Sequence, residues 1–288
     1  MNHAPITVII PTHDRANKLL GAINSVLNQT LPVEKTIVVD DGSTDNTASL
    51  IAPFTNDKFI YIHQSQQGVS AARNRAVVQA SSPWVAFLDS DDLWLRHKIE
   101  KQWAAIVANP GIKLHHCDER WIRNGQHLNP MKKHNKAMKT PFKESLERCM
   151  ISPSSAIIDR SLLISMGGFD ETLPACEDYD LWLRICASYP IFFLPEQLLI
   201  KNGGHSDQLS RQFWGMDRFR IQAMENLLQS SILTSQQLRW LYPVLIKKIN
   251  IVLQGAKKRG HQAIIDDYEH KLLTHQARMR QCDDCSAR

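Results

Sequence analysis

The sequence predicts an α/β fold in which a mostly parallel β-sheet is flanked by helices and followed by a helical C-terminal extension. Over residues 6–107, short apolar runs suited to buried strands alternate with stretches whose apolar residues recur at helical spacing. Acidic and polar residues collect where these strands end, which is where open α/β sheets bind ligands. From about residue 212 to 281 the apolar spacing is helical, and this predicts the extension.

The first four strands are indicated by short apolar runs, and three of these runs stop at proline or at acidic residues. ITVII ends at Pro11, and TIVVDD ends in two carboxylates. The segment GVSAARNRAVVQA reads as a helix whose small residues face the sheet. In chain order the predicted elements are strand 6–10, a helix through 19–27, strand 36–41, a helix ending near 51, strand 59–63, helix 68–80, strand 84–89 and helix 93–107.

The rest of the chain is less regular. The extended segment FFLPEQLLI contains Pro195, which cannot donate to a ladder and so restricts the segment to an edge strand or a broken strand. The polar, basic stretch 124–141 predicts a mobile loop. We divide the chain into an α/β domain at 1–205 and a helical extension at 206–288. The other predicted elements are strands 113–122, 154–160 and 192–200, helix 179–189, and tail helices interrupted near Thr234 and Gly260.

Composition excludes intrinsic disorder and locates the charge. Hydrophobic residues make up 43% of the 288 residues, which is enough to form a packed core. The net charge is +5, and residues 201–288 alone carry 14 basic and 8 acidic side chains. That excess suits either an anionic surface or an ordinary solvated helical face.

The sequence lacks recognisable targeting signals and its cysteines are scattered, which together predict a cytoplasmic protein. No apolar run approaches the ~20 residues that span a bilayer. The first residues lack the basic region and cleavage site of a signal peptide. The six cysteines are scattered, which predicts reduced thiols. Cys282 and Cys285 form one CxxC without a second pair, and its role stays open.

Three carboxylates follow the strand at 84–89, within the sequence DSDD. Closely spaced carboxylates repel one another unless a cation lies between them. Mg²⁺ and Mn²⁺ prefer such oxygen ligands and keep positions open for phosphate oxygens. A turn with a helix N-cap accounts for one or two of these acids but not for all three. The sequence therefore predicts a divalent cation near Asp89, Asp91 and Asp92.

Two further polar clusters follow the first and second strands. A carboxylate in VVDDGSTD can accept a hydrogen bond from a base N–H or a ribose hydroxyl. Its Ser43, Thr44 or Asp45 can at the same time cap the next helix. PTHDR leaves the first strand with backbone groups that can face a nucleobase. The three clusters predict one shared site at the carboxyl edge of the sheet.

The motifs PTHDR, SVLNQT, VVDDGSTD, GVSAARNRA, FLDSDD and ACEDYDLWLR, in this order and spacing, resemble the family 2 glycosyltransferases with the GT-A fold. The resemblance covers about residues 5–205, which would form the catalytic domain. It implies transfer of a sugar from a nucleotide diphosphate sugar, in particular a UDP-sugar, with inversion at the anomeric carbon. A metal-dependent hexosyltransferase that uses Mn²⁺ or Mg²⁺ is therefore expected.

The resemblance also implies roles for individual residues. Asp178, in EDYD, matches the catalytic base of the family. Asp41, in DDGS, matches the acid that recognises uracil and ribose. His205 resembles a late histidine that joins the metal site in some members. The residues implied for the nucleotide sugar are Pro11, Thr12, Asp14, Asp40, Asp41, Arg73, Asp89 and Ser90, and those implied for the metal are Asp91, Asp92 and His205.

Other functions stay open at this point. A non-catalytic nucleotide-sugar binding module would have the same donor residues and a misplaced Asp178. A sugar-phosphate nucleotidyltransferase would need a Gly/Arg-rich loop after the first strand, where this chain has PTHDRANK. Nucleic-acid binding is disfavoured because the basic residues are not interleaved with aromatic ones. The resemblance suggests polysaccharide or lipopolysaccharide assembly on a saccharide or lipid-linked saccharide acceptor.

In the tail, helical spacing predicts an apolar stripe that packs against neighbouring helices, with basic residues beside it that face outward and make weak peripheral contact with the inner face of the membrane. The stripe comprises Trp240, Leu241, Val244, Leu245, Ile249 and Val252, and the basic residues are Lys247, Lys248, Lys257, Lys258 and Arg259.

Overall fold

The structure is a computed structural model, and it describes most of the chain. The predicted ligand His205 and the terminal Cys285 lie outside the described residues, as does part of the predicted loop at 124–141. The described residues are 3–123, 125–128, 135–204 and 212–284.

Contacts divide the chain into two compact units. The sequence divides it at residue 205, and that boundary stays a prediction. The contact grouping places two inner segments, which the sequence assigned to the α/β domain, together with the tail. Unit 1 comprises 1–138, 151–172 and 189–208, and unit 2 comprises 139–150, 173–188 and 209–288.

Unit 1 is built on one sheet. The predicted buried strands form as expected, because Val, Ile and Phe favour the pleated backbone and both faces of the inner strands are covered. The strands are β1 Ala4–Thr12, β2 Val33–Asp41, β3 Phe59–Gln64, β4 Trp84–Phe87, β5 Leu93–Trp94, β6 Leu114–Arg123, β7 Gln126–Leu128, β8 Ala156–Asp159 and β9 Ile191–Gly203.

The sheet is parallel in its first four strands and mixed beyond them. The spatial order is β3-β2-β1-β4-β8-β6-β9-β5, with β7 paired to β6. β1 pairs in parallel with both β2 and β4, whereas β8 is antiparallel to β4 and β6. The predicted α/β fold is therefore confirmed, and its parallel character is confined to β1–β4 and the pair of β6 with β9.

Helices connect the parallel strands. Leu19, Ile23 and Val26 of the first helix are buried as the helical spacing predicts, whereas Leu20 and Leu27 are exposed. The helices of the described residues are α1 Ala16–Leu27, α2 Thr47–Ile51, α3 Val69–Gln79, α4 Lys98–Ala108, α5 Pro141–Glu147, α6 Arg160–Ser165, α7 Glu177–Ser188, α8 Asp217–Gln229, α9 Ser235–Arg259 and α10 Gln262–Asp284.

Two departures from the sequence-based elements involve β9. The helix predicted from Leu93 begins only at Lys98, because residues 93–94 form β5 and pair with Ile200 and Leu199 of β9. β9 is one long strand between β6 and β5, and the register of its ladder with β6 shifts near Pro195. The break predicted at this proline is accommodated by that irregularity.

Unit 2 contains α5, α7, α8, α9 and α10 in its described part. The tail helices break where the sequence predicts: Thr234 caps α9 in a capping box with Gln237, and Gly260 ends α9 with a φ of 68°. Leu241 and Ile249 of the predicted apolar stripe are buried. Within the described residues no helix combines the length and the apolarity needed to cross a membrane.

Candidate active site

Three neighbouring strands of unit 1 end at one edge with polar residues. Because β1 lies in parallel between β2 and β4, all three end on the same side of the sheet. Thr12 pairs with Asp40, and Leu88 N–H donates to the carbonyl of Ile9 at 2.9 Å. We call the residues at this edge the strand-end cluster. It comprises Pro11, Thr12, Asp40, Asp41, Asp89 and Ser90.

Asp40 is a buried carboxylate that orders the turn after β2. Its Oδ1 accepts a hydrogen bond from Ser43 N–H at 2.8 Å, and its Oδ2 accepts one from the hydroxyl of Tyr61 at 2.6 Å. Burial, followed by the hydrogen bond to Asp40, raises the pKa of Tyr61. Tyr61 therefore keeps its proton and acts as a donor that fixes the Asp40 side chain.

Asp41, which the resemblance matches to uracil recognition, is held against the loop before α3. Its Oδ1 accepts from Gln64 Nε2 at 2.7 Å and from Gln67 N–H at 2.8 Å. Its Oδ2 accepts from Gly68 N–H at 2.8 Å. Gly68 has a φ of 96°, a conformation that glycine adopts without strain. These contacts give Asp41 a loop-ordering role, and its contact with the nucleotide stays a prediction.

Asp14 and Asp45 join the segment after β1 to the segment after β2. Asp14 Oδ1 accepts from Thr44 N–H at 2.6 Å and Asp45 N–H at 3.2 Å. Asp45 Oδ2 accepts in return from Ala16 N–H at 3.0 Å, at the first residue of α1. Asp45 also accepts from Thr47 N–H at 2.9 Å, at the first residue of α2, although the N-cap of that helix is Asn46 and its side chain makes no capping hydrogen bond. The two carboxylates fix the mutual position of the two strand exits.

Replacing Asp14 by asparagine should lower the stability of the fold near neutral pH but not in acid. The N–H of Thr44, together with the N–H of Asp45, holds the pKa of Asp14 below its ordinary value of 3.8. Ionised Asp14 therefore stabilises the fold above that pH, and this contribution disappears as the pH falls through the lowered value. The difference in melting temperature between wild type and Asp14→Asn should become smaller as the pH is lowered from about 7 to about 3. Asp57→Asn, at an exposed turn, is the control, and an unchanged gap would contradict the prediction.

Arg73 forms an ion pair with Asp89, the first residue of the DSDD motif. The guanidinium of Arg73 is 3% exposed and lies 2.8 Å from Asp89 Oδ1. It also lies 5.0 Å from the ring centroid of Phe169, which packs edge-on against Phe87. Burial acts to raise the pKa of Asp89, but the positive charges of Arg73, Lys201 and Arg15 outweigh it, and the pKa lies below its usual value. Asp89 is thus held as an anion.

Asp91 is paired with Arg15, a residue of the PTHDR motif. Arg15 Nη1 lies 3.1 Å from Asp91 Oδ2, and both side chains are only partly buried. The pair connects the end of β1 with the DSDD motif. Two arginines thus lie on the two carboxylates that the sequence predicts for the metal and the diphosphate.

Asp92 has different surroundings. Its Oδ2 accepts from Ser154 Oγ at 2.7 Å, and its Oδ1 accepts from Asn202 N–H at 3.0 Å. Burial, and the charges of Asp89 and Asp91, raise the pKa of Asp92 well above its ordinary value. Among the described residues, no group of three or more His, Cys, Asp or Glu side chains is arranged to hold a metal ion.

Two buried hydroxyls have no hydrogen-bond partner within the described part of the chain. They are Thr12 Oγ1, at the end of β1, and Ser70 Oγ, in the first turn of α3. A buried polar atom without a partner costs about 1–3 kcal/mol, which a ligand atom would recover. Thr12 is the last residue of β1 and pairs with Asp40, so a ligand bound at the strand-end cluster would be within its reach.

Asp178, the predicted base, lies in unit 2 in the first turn of α7. Its Oδ1 accepts from Tyr179 N–H at 2.7 Å, and its Oδ2 accepts from the thiol of Cys149 at 3.2 Å. Cys176, just before α7, has a φ of 63°, which is uncommon for a residue with a side chain. Trp182, one turn further along α7, is buried. The carboxylate is thus oriented by contacts within its own unit.

Sequence reasoning missed several partners of these residues. Arg15 lies inside a quoted motif, so its position was a signal, but its partner Asp91 is 76 residues away. Tyr61 is marked only by a strand pattern. Ser154 and Asn202 carry no local signal, because each meets the DSDD motif through the fold alone.

The comparisons with known proteins agree with this architecture. The sequence matches the family model of Glycosyl transferase family 2 over residues 7–167. An uncharacterized glycosyltransferase of Rickettsia bellii is 32% identical over 186 residues, which are 64% of this chain and 27% of that protein. A UDP-Glc:α-D-GlcNAc-diphosphoundecaprenol β-1,3-glucosyltransferase of Escherichia coli is 30% identical over 181 residues, which are 62% of this chain and 69% of that one.

Two solved structures have a similar fold. S. aureus TarS 1-349 in complex with UDP-GlcNAc has a TM-score of 0.72 at 19% identity, covering 94% of this chain and 81% of that one. A mannosyltransferase of Pyrobaculum calidifontis in complex with GDP-Man and Mn²⁺ has a TM-score of 0.62 at 17% identity, covering 98% of this chain and 86% of that one.

The fold and the strand-end cluster define a GT-A-type protein. The chain belongs to glycosyl transferase family 2, because the family model matches more than half of it. The predicted family and fold are thereby confirmed. The chain spans only about a third or less of the length of the first Rickettsia relatives it matches.

Proposed function

We propose that this protein is an inverting glycosyltransferase that moves a sugar from a UDP-sugar to a hydroxyl of a saccharide acceptor. The observation that carries the proposal is the strand-end cluster, where Thr12, Asp40 and the DSDD motif meet on adjacent parallel strands. Family membership and the nucleotide sugars in the two similar structures support it.

Donor binding falls to residues of unit 1. The unpartnered hydroxyl of Thr12 supplies a donor and acceptor for the nucleoside. Asp40 and Asp41 shape the pocket by holding the turn at Ser43 and the loop before Gly68. Arg15 and Arg73 carry the positive charge that diphosphate oxygens require.

The donor set at the DSDD motif fits Mn²⁺ or Mg²⁺. Asp89 and Asp91 offer carboxylate oxygens, and such ions need only one or two protein carboxylates when substrate phosphates and water complete the shell. We propose Asp91, with the neighbouring Asp89, as the ligands of the divalent cation. His205 stays a predicted further ligand. When bound, the ion neutralises charge that develops on the diphosphate leaving group.

Asp178 is proposed as the general base. An acceptor hydroxyl is a poor nucleophile near neutral pH, and a carboxylate that takes its proton as the new bond forms relieves this. The contacts from Tyr179 and Cys149 fix the orientation of the carboxylate. Attack from the face opposite the leaving group inverts the anomeric carbon in one step, so no protein nucleophile is needed.

The acceptor is proposed to be a lipid-linked saccharide of cell-surface polysaccharide assembly, on the cytoplasmic face of the membrane. The support is the E. coli relative, whose name specifies a diphosphoundecaprenol-linked GlcNAc acceptor.

A transfer assay tests the function. Purified protein is incubated with labelled UDP-glucose, UDP-GlcNAc and GDP-mannose, a synthetic GlcNAc-diphosphate lipid, and Mn²⁺ or EDTA. We expect metal-dependent transfer of sugar from one UDP-sugar. Tight binding of UDP-sugar without transfer or hydrolysis would support a binding module instead, and formation of UDP-sugar from sugar phosphate and UTP would support a nucleotidyltransferase.

Membrane contact is proposed for a narrower surface than the sequence predicts. Among the basic residues beside the α9 stripe, Lys247, Lys248 and Lys257 each pair with an acidic side chain of unit 2. Lys248 is moreover buried, because it donates to Asp217 and to the carbonyl of Glu147. We therefore assign lipid contact to the end of α9, at Lys258, Arg259 and the half-exposed Trp214, whose ring centroid lies 5.6 Å from the Arg259 guanidinium.

Sedimentation with vesicles measures this contact. Each basic residue near an anionic surface contributes up to about 1 kcal/mol, so we expect binding to phosphatidylglycerol vesicles that weakens with salt. The double variant Lys258→Glu/Arg259→Glu should lose it, and Lys58→Glu, an exposed lysine of unit 1, should not. Absence of binding at low salt would remove the membrane claim.

A further inference from the structure

Asp92 is held differently from the other two carboxylates of the DSDD motif. It is 2% exposed, whereas the side chains of Asp91 and Asp89 are 12% and 26% exposed. Both of its oxygens accept hydrogen bonds from the protein, one from Ser154 Oγ and one from Asn202 N–H. Asp91 and Asp89 instead contact arginine side chains, which a cation or a phosphate can displace.

Ser154 joins the first residue of the motif to the last. Its Oγ accepts from Asp89 N–H at 3.1 Å and donates to Asp92 Oδ2 at 2.7 Å. Asp92 N–H closes the turn on the carbonyl of Asp89 at 3.0 Å. Ser154 is itself fully buried, and its carbonyl accepts from the indole N–H of Trp94 at 2.9 Å. A single hydroxyl therefore fixes both ends of the turn.

Asn202 holds the middle of the same turn from the end of β9. Its side-chain amide donates to the carbonyl of Asp91 at 2.7 Å, while its own N–H donates to Asp92. Asn202 lies 110 residues from Asp92, and Ser154 lies 62 residues away. Two distant segments of unit 1 thus meet on one four-residue turn.

Such a framework matters for a cation site. Mg²⁺ and Mn²⁺ require near-fixed oxygen positions, and neighbouring carboxylates repel one another until the ion binds. Some residues hydrogen-bond to the metal-binding side chains without contacting the ion. Removing such a residue typically lowers metal affinity by about 10–100-fold.

We propose that Asp92, Ser154 and Asn202 form a clamp that positions Asp89 and Asp91 for the divalent cation, and that Asp92 is a positioning residue and not a ligand. This rests on the proposed metal site of the glycosyltransferase. It replaces the sequence-based expectation that Asp92 contacts the metal. Ser154 and Asn202 then belong to the determinants of metal affinity although neither touches the ion.

The test is a Mn²⁺ titration of the full chain saturated with UDP, with free Mn²⁺ followed by electron paramagnetic resonance. Asp91→Asn should weaken Mn²⁺ binding about 100-fold or more, and Ser154→Ala about 10-fold. Asp92→Asn should cost no more than Ser154→Ala, because the amide oxygen still accepts from Asn202 N–H. A loss in Asp92→Asn equal to that in Asp91→Asn would make Asp92 a ligand and overturn the clamp.

Ser155→Ala is the matched control. Ser155 is as buried as Ser154, but its hydroxyl donates to the carbonyl of Ser152 and not to the motif. It should leave Mn²⁺ affinity unchanged, and an equal loss in both variants would overturn the proposal as general loosening of the turn. UDP affinity in EDTA should stay unchanged in Ser154→Ala, which a merely destabilised unit would not give.

Asn202→Ala provides a second variant if Ser154→Ala does not fold. It removes only the contact to the carbonyl of Asp91 and should weaken Mn²⁺ about 3–10-fold. If wild-type protein with UDP binds no Mn²⁺, the metal part of the proposed function fails and the clamp fails with it. If wild type binds Mn²⁺ and Asp91→Asn does not, but both clamp variants bind like Ser155→Ala, the clamp alone fails.

Discussion

Asp91→Asn should abolish detectable sugar transfer, with turnover reduced by about 10³-fold or more. Asp91 is a partly buried carboxylate of the DSDD motif, and its Oδ2 lies 3.1 Å from Nη1 of Arg15. A neutral amide loses the charge attraction for a divalent cation while keeping the size of the side chain. Transfer of labelled sugar and Mn²⁺-dependent UDP binding, measured on the same preparation, should fall together.

Asp91→Asn removes both the carboxylate charge and the ion pair with Arg15, and Arg15→Gln separates these two effects. It removes the ion pair and the charge proposed for the diphosphate but leaves the carboxylate, so Mn²⁺ binding at saturating UDP should remain within about threefold of wild type. Unchanged transfer in Asp91→Asn would refute the assignment of the metal to Asp91. Equal loss of Mn²⁺ in Arg15→Gln would show that the ion pair, and not the carboxylate, determines metal binding.

Asp178→Asn should lower turnover by about 10²–10⁴-fold, the range for loss of a general base, while donor affinity stays near normal. The amide oxygen can still accept from Tyr179 N–H, so the start of α7 should be retained. Turnover and the Kd for UDP-sugar are measured side by side, together with the melting temperature.

The neighbouring thiol offers the control. Cys149→Ala deletes the 3.2 Å contact to Asp178 but leaves the carboxylate, so its turnover should stay within about tenfold of wild type. Collapse of donor binding in Asp178→Asn would make Asp178 a structural residue or a metal ligand. Full turnover in that variant would remove it from the mechanism.

Much of the secondary structure could be predicted from local patterns. The apolar runs at ITVII and TIVVDD bury nearly every residue, so they can only be inner strands. The helix breaks at Thr234 and Gly260 follow from capping chemistry that is read within four residues. The helix predicted from Leu93 was wrong for its first turn, because pairing of residues 93–94 with β9 outweighed the local spacing.

The candidate site could be predicted as a set of residues but not as a set of partners. Carboxylates at strand ends identify themselves, since adjacent parallel strands end at the same edge. The sequence could not show that Asp41 accepts hydrogen bonds from the N–H groups of Gln67 and Gly68, and so could not distinguish it from a carboxylate open to a ligand. Nor could it separate Asp92 from Asp91, because Ser154 and Asn202 approach from distant strands.

By itself the sequence determined the strands, the helix caps and the family, since these depend on residues close in the chain or on motifs in a fixed order. Only the tertiary structure decided the charge partners. Arg73 pairs with Asp89 and Arg15 pairs with Asp91. Asp217 pairs with Lys248, which helical spacing placed in solvent. Such pairing depends on burial and on distance in space. A linear pattern records the type and order of the charges but not which of them the folded chain removes from water.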